Sequence, residues 1–88
     1  MSTLTELVLS DIIIERKYQD QKWGEQNHLP TVWITIITEE LGEAARQALE
    51  SSLVRADLQK YRAELVQVAA VAFAAIEALD DGRLGLEE

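Results

Sequence analysis

Residues 65–76 constrain the fold of this 88-residue chain more than any other stretch, because every side chain among them except Gln67 is apolar. A helix that is apolar on all sides is buried on all sides. Two further helices cannot enclose it within so short a chain, and the stretch falls well short of the ~20 residues that span a membrane. The sequence therefore predicts an all-α, three-helix chain that forms a four-helix-bundle-like core through homo-oligomerisation, as a homodimer or a homotetramer.

The length of the chain allows a single domain, over residues 1–88. Domains of this size bury little surface and are usually stabilised by disulfides, a structural metal or oligomerisation. The chain has no Cys, which excludes disulfides and thiolate metal sites. Oligomerisation and a metal held by oxygen ligands remain as the ways to stabilise so small a domain.

The charge of the chain excludes some classes of partner. Sixteen acidic residues against eight basic ones give a formal charge of −8. A field of that sign repels phosphate backbones, so we expect no nucleic-acid partner. The N-terminus has no basic stretch followed by an apolar core, so we expect no secretory signal, no membrane anchor and a cytoplasmic location.

Local signals divide the chain into three helices. Thr3 and Glu6 have the spacing of a capping box, and Thr31 is a plausible N-cap for the second helix. The third starts between Ser52 and Asp57, and Asp81 with the following glycine stops it. The predicted elements are helices over about residues 3–20, 31–51 and 55–80, a loop over 21–30 and a frayed tail over 82–88.

Two carboxylates fall inside the apolar stripes of the second and third helices. At about 100° per residue, Glu40 and Glu64 each lie among apolar positions of their own helix. An ionised carboxylate in an apolar interior costs several kcal/mol unless it is paired or bound to a metal. The alternative to a metal is a salt bridge with a Lys or Arg of a partner chain.

The spacing of the polar residues favours a metal. Glu40 and Glu43 are neighbours on one helical face, and Glu64 and Gln67 repeat that spacing on the next helix. Three carboxylates and one amide oxygen form a hard site that suits Mg²⁺ or Mn²⁺. The basic side chains near these positions in sequence fall off both stripes, so a metal is the simpler partner; they are Arg46, Lys60 and Arg62.

These residues resemble a known family. Glu39, Glu40 and Glu43 match the E-E-x-x-E motif of the MazG-like all-α nucleoside triphosphate pyrophosphohydrolases, and Glu64 and Gln67 stand where that family has E-x-x-D. The intervening length also fits the family's two-helix spacing.

A second stretch supports the resemblance. Residues 15–28, followed by Trp33, look like a small single-domain branch of the family found in bacteria and phages. The resemblance covers roughly residues 13–79, nearly the whole helical core.

The resemblance implies an activity. Such enzymes use Mg²⁺ to hydrolyse nucleoside triphosphates to monophosphate and pyrophosphate, often to remove altered or surplus nucleotides. It implies that Glu40, Glu43 and Glu64 are metal ligands, and that Glu39 is a further ligand or orients the attacking water. Gln67 is neutral where the family usually has Asp, which puts a second metal in doubt.

Gln67 therefore leaves two alternatives open. The protein is either the enzyme that the resemblance implies or a non-catalytic nucleotide- or metal-binding helical module with a weakened site. A purely structural oligomeric bundle is a third possibility. Gln67 is also open to a purely structural role, as a core amide that fixes the register of the oligomer.

Substrate contacts are predicted near the end of the first helix. Arg16, Lys17 and Lys22 could bind a triphosphate or serve only solubility. Trp23 could stack on a base or plug the helix end against the core. His28 is a surface residue or a substrate contact, since its loop position excludes the Glu-x-x-His pairs of di-iron bundles, and Trp33 is most simply core.

Overall fold

The computed structural model describes residues 2–55 and 58–86, and within these ranges it contains three α-helices and no strand. The helices are α1 (Leu4–Trp23), α2 (Pro30–Glu50) and α3 (Gln59–Asp80). The predicted all-α class and the three helices are confirmed. No helix in the described ranges is long and apolar enough to cross a bilayer.

The predicted capping box opens α1. Thr3 Oγ1 accepts a hydrogen bond from the Glu6 N–H at 3.1 Å, and a Glu6 carboxylate oxygen accepts one from the Thr3 N–H at 3.2 Å. The helix continues to Trp23, past the predicted end at about residue 20, because no helix-breaking residue precedes Gly24. Gly24 then ends it with a φ of +72°, a conformation that favours glycine.

The start of α2 differs from the prediction. Its N-cap is Leu29 rather than Thr31, and Pro30 is the first helical residue. Proline suits that position because the first N–H groups of a helix have no partner and its fixed φ is already helical. The helix ends at Glu50, one residue before the predicted end.

The start of α3 also differs, since the helix begins at Gln59 rather than at about residue 55. The preceding chain turns at Leu53, which has a φ of +64°, so no helix runs through that residue, and Leu58 is the N-cap. Two positions of the predicted starting region, Ala56 and Asp57, lie outside the described residues.

The predicted stop of α3 is confirmed. Asp81 is the C-cap, and Gly82 has a φ of +73°. The Arg83 N–H donates to the Ala78 carbonyl at 2.8 Å and the Gly82 N–H donates to the Leu79 carbonyl at 3.1 Å. These are the two hydrogen bonds of a Schellman motif.

The tail predicted to fray over residues 82–88 is instead docked as far as it is described; the last two residues lie outside the described chain. An Arg83 guanidinium nitrogen donates to the Gln26 carbonyl at 2.8 Å, and the Gly85 N–H donates to Asn27 Oδ1 at 2.7 Å. The prediction failed because these partners lie in the loop between α1 and α2, far away in sequence.

Helix α3 is the central helix and contacts both of the others. It packs against α2 along much of its length and against part of α1, while α1 and α2 make no close backbone contact with each other in the described ranges. Among the described residues, two ion pairs join α1 to α3: Arg16 to Glu77 at 2.8 Å and Arg62 to Asp11 at 2.7 Å. The unfilled space between α1 and α2 forms a cleft with α3 as its floor.

The core of a single chain is small. Its buried apolar residues in the described ranges are Trp33, Ala44, Ala70, Val71 and Ala78. The apolar segment at residues 65–76 is only partly covered, since Phe73 is 42% exposed and Ile76 is 59% exposed. A single chain therefore does not bury this segment on all sides, and the predicted oligomeric bundle stays a prediction.

Candidate functional site

A cleft of about 880 Å³ lies between α1, α2 and the loop that joins them. Its volume falls in the range of about 300–1,000 Å³ that is typical of small-molecule sites. Glu15 and Gln19 line it from α1, Glu40 from α2, and Gln67 from α3, while His28 contributes from the loop. Each element of the chain therefore supplies a polar side chain to one cavity.

Glu40 and Gln67, two of the predicted site residues, both line this cleft. Glu40 is partly buried, and burial is the main cause that raises the pKa of its carboxyl group above the ordinary 4.5. The negative charges of Glu64, Glu43, Glu15 and Glu39 raise that pKa further, in decreasing order. The three other predicted acids are thus electrostatically coupled to Glu40.

The predicted acids do not converge on one point within a single chain. Glu39, Glu43 and Glu64 do not line the cleft, and Glu43 forms an ion pair with Arg46 one turn further along α2. In the described ranges, no three His, Cys, Asp or Glu side chains form a group that could hold a metal ion. The donor set has the chemistry for Mg²⁺, but one chain does not assemble it.

Glu15 is a site residue that the sequence reasoning missed. It lines the cleft from α1, and its charge raises the pKa of Glu40. The sequence placed it in a charged stretch at the end of an apolar face, where its direction could not be inferred. Its position at the start of residues 15–28, the second stretch that carries the family resemblance, was the available signal.

The predicted cationic contacts are placed differently from one another. Arg16 lines the cleft but is already paired with Asp20 at 2.9 Å and with Glu77 at 2.8 Å, so its charge is compensated. Lys17 is exposed and does not line the cleft. Lys22 lines it, with Nζ 4.7 Å from the centre of the Trp23 ring.

The aromatic residues take separate roles. Trp23 is 55% exposed at the cleft, which excludes the alternative that it plugs the helix end. Trp33 is core, as predicted, and its Nε1 is buried without a hydrogen-bond partner in the described chain. His28 meets the Trp33 ring edge-on at 4.9 Å and bonds Gln26 Oε1 through Nε2 at 2.8 Å, so it is half-buried rather than a surface residue.

Gln19 is the second residue that the sequence reasoning missed. It is the one buried polar residue of the described ranges, at 6% exposure, and it lines the cleft. Its side-chain amide makes no hydrogen bond with any described residue. The signal for it was weak, because an isolated Gln on a helix is usually exposed.

Within the described residues, the fold and the cleft define an all-α protein with a partly buried carboxylate at the wall of a cleft of about 880 Å³. Comparison of the chain with protein-family models, with curated proteins and with solved structures finds no match. The resemblance to the MazG-like family therefore stays a prediction.

Proposed function

We propose that the protein is a Mg²⁺-dependent nucleoside triphosphate pyrophosphohydrolase that releases nucleoside monophosphate and pyrophosphate and serves in nucleotide-pool clean-up. The observation that carries the proposal is Glu40. A carboxylate whose pKa is raised by burial and by four neighbouring carboxylates, at the wall of a cleft, is typical of a functional site rather than of a structural one.

The chemistry of the donors supports a divalent cation. Glu40, Glu43 and Glu64 would hold it through carboxylate oxygens and Gln67 through its amide oxygen, a set that suits Mg²⁺ and also Mn²⁺. When bound, the ion supplies charge neutralisation at the phosphates and an activated water. Glu39, on the same helix, is then the further ligand or the group that orients that water.

The geometry of one chain requires these donors to move together. Glu43 must give up its ion pair with Arg46, an exposed pair of the kind that contributes at most about 1 kcal/mol. A divalent ion gains far more from an added carboxylate ligand, since hard cations reward ligand charge. The proposal therefore includes a rearrangement on metal binding.

The cleft supports a nucleotide as the substrate. Its volume suits a small molecule, and the exposed Trp23 ring offers a surface on which a base can stack. Lys22 brings a cation to the same place. Lys17 lies outside the cleft and could reach only a phosphate that extends beyond it.

A homo-oligomer is part of the proposal. The exposed apolar residues of α3, Phe73 and Ile76 among them, leave the chain with little core of its own. A second copy that covers them supplies the burial that so short a chain lacks.

The test is pyrophosphate release from a panel of common and modified nucleoside triphosphates in the presence of Mg²⁺. We expect turnover that is lost with a chelator and falls by about 100-fold or more in Glu40→Gln and in Glu64→Gln, because each removes a ligand charge. Glu50→Gln, the same change at an exposed position on α2, is the matched control. Near-normal activity in either site variant would exclude these residues as ligands.

A non-catalytic binding module is the second candidate. It is favoured by the ion pair that occupies Glu43 and by the neutral Gln67, which together leave few free charges for a second metal. In that case Mg²⁺ and nucleotides raise the melting temperature while no pyrophosphate is released.

A further inference from the structure

Gln19 is an anomaly in the packing of α1. Trp33 Nε1 is the one buried side-chain polar atom of the described chain without a partner, so the Gln19 amide still reaches the open space of the cleft. Gln19 is nevertheless 6% exposed, and no described side chain or backbone group bonds its amide. An amide that packing holds in place, that no described group bonds and that faces a cleft can bind a ligand there.

The position of Gln19 fits that role. The α1 residues that line the cleft include Glu15, Arg16, Lys22 and Trp23 on either side of it. At about 100° per residue, Gln19 lies in the middle of the arc that these positions cover. Its amide is therefore central to the wall that α1 presents to a bound molecule.

The other charged groups around the cavity do not satisfy this amide. Arg16 is engaged by Asp20 and Glu77, and Lys22 lies over Trp23. A side-chain amide carries one acceptor and two donors. Its natural complement is a planar group that presents a donor beside an acceptor, as the edge of every nucleobase does.

We propose that Gln19 is a specificity-determining residue, whose amide binds the hydrogen-bonding edge of the substrate's base in the cleft between α1 and α2. This inference rests on the proposed function for the identity of the ligand as a nucleotide. It does not require that the nucleotide be hydrolysed. Trp23 provides the ring surface and Gln19 the hydrogen bonds.

The test is equilibrium binding of the common nucleoside 5′-monophosphates, without Mg²⁺, compared with ribose 5-phosphate, which has no base. We expect Gln19→Met to weaken binding of the preferred monophosphate by about tenfold or more, because the base loses both hydrogen bonds. Ribose 5-phosphate should bind the variant and the wild type equally. Gln21→Met, the same change on the exposed side of α1, should alter neither.

Folding is checked separately. Gln19→Met replaces an amide that no described group bonds with an apolar side chain of similar size, so its melting temperature should stay close to that of the wild type. Gln19→Glu is the second variant, which keeps the shape but offers acceptors only. It should reorder the preference among the monophosphates towards a base with two adjacent donors, as guanine has.

Several results would overturn the inference: no monophosphate binding by the wild type, equal weakening of both ligands in Gln19→Met, or an unchanged order of preference in Gln19→Glu. A failure of the proposed function alone would give a different set of results. A wild type that binds monophosphates through Gln19 but releases no pyrophosphate contradicts the enzyme and leaves the inference standing. Turnover with a base preference that Gln19→Met retains contradicts the inference alone.

Discussion

Glu40 links the ionisation of one side chain to the stability of the fold. Burial and four neighbouring carboxylates disfavour its charged form, so the pKa of Glu40 in the folded chain lies above its ordinary value of 4.5. The folded state then binds this proton more tightly than the unfolded state does. The stabilising contribution is present below pH 4.5 and is lost as the pH rises through the raised pKa.

We therefore expect Glu40→Gln to stabilise the metal-free protein at pH 7, where the wild type carries the unfavourable charge. The gain should be at most about 1 kcal/mol, because the carboxylate is still partly hydrated. It should vanish below pH 4.5, where both side chains are neutral. Urea melts in a chelator at the two pH values measure it, with the exposed Glu50→Gln as the control. A loss of stability at pH 7 would contradict this account.

The site residues differ in how far the sequence could predict them. Glu40 was predicted because α2 has a clear apolar stripe, and Gln67 was predicted because it stands three residues after Glu64; both line the cleft. Glu15 and Gln19 were missed because the apolar positions of α1 are spread too widely to show which face meets the other helices. The pairing of Glu43 with Arg46 was not predicted, because Arg46 lies off the Glu40 and Glu64 stripes although it is close to Glu43 on the same helix.

At the scale of elements, local chemistry predicted more than long-range contacts did. The capping box of α1 and the glycine stop of α3 are set by neighbours in sequence, and both were predicted. The docking of the tail depends on the loop between α1 and α2, more than fifty residues away along the chain. No local sequence pattern predicts a contact between residues so far apart along the chain.

Gly85 tests whether the tail fixes that loop. It has a φ of +76°, and a Cβ there would collide with the backbone of His28 and Leu29. Gly85→Ala should undock the tail and raise amide hydrogen exchange in the loop, whose Asn27 then loses its bond to the tail. The measurement is exchange followed by mass spectrometry of peptides that cover the loop.

Gly82→Ala is the matched control for that experiment. Gly82 has nearly the same φ, +73°, but nothing lies within 4 Å of an added Cβ. Both variants bear the left-handed strain of roughly 1–2 kcal/mol, and only Gly85→Ala adds a collision. Equal exchange in the loop of the two variants would mean that strain alone, and not the close approach, explains the effect.

At the scale of the whole molecule, the chain is extended and thin, with dimensions of 50 × 34 × 19 Å. Its three helices form one packed layer around α3 and leave the cleft open on one side. Large apolar side chains remain exposed on every helix, including Leu7 on α1, Ile34 on α2 and Phe73 on α3. Isolated exposed apolar side chains are ordinary on protein surfaces. Here the exposed large apolar side chains outnumber the buried apolar residues of the described chain.

We expect the protein to sediment as a homodimer or homotetramer of the 9.9 kDa chain at micromolar concentration. Phe73→Glu discriminates between the single chain and the oligomer. In a monomer the change removes the partial packing of a side chain that is 42% exposed, which costs about 1–2 kcal/mol and leaves the sedimenting mass of the chain unchanged. In an oligomer that covers Phe73, the variant buries an unpaired charge, which costs several kcal/mol and should dissociate the assembly. Leu49→Glu, at the end of α2 and 85% exposed, is the control for added charge alone. A compact, stable wild-type monomer would overturn the prediction, since it would show that the partly covered apolar segment of α3 needs no second copy.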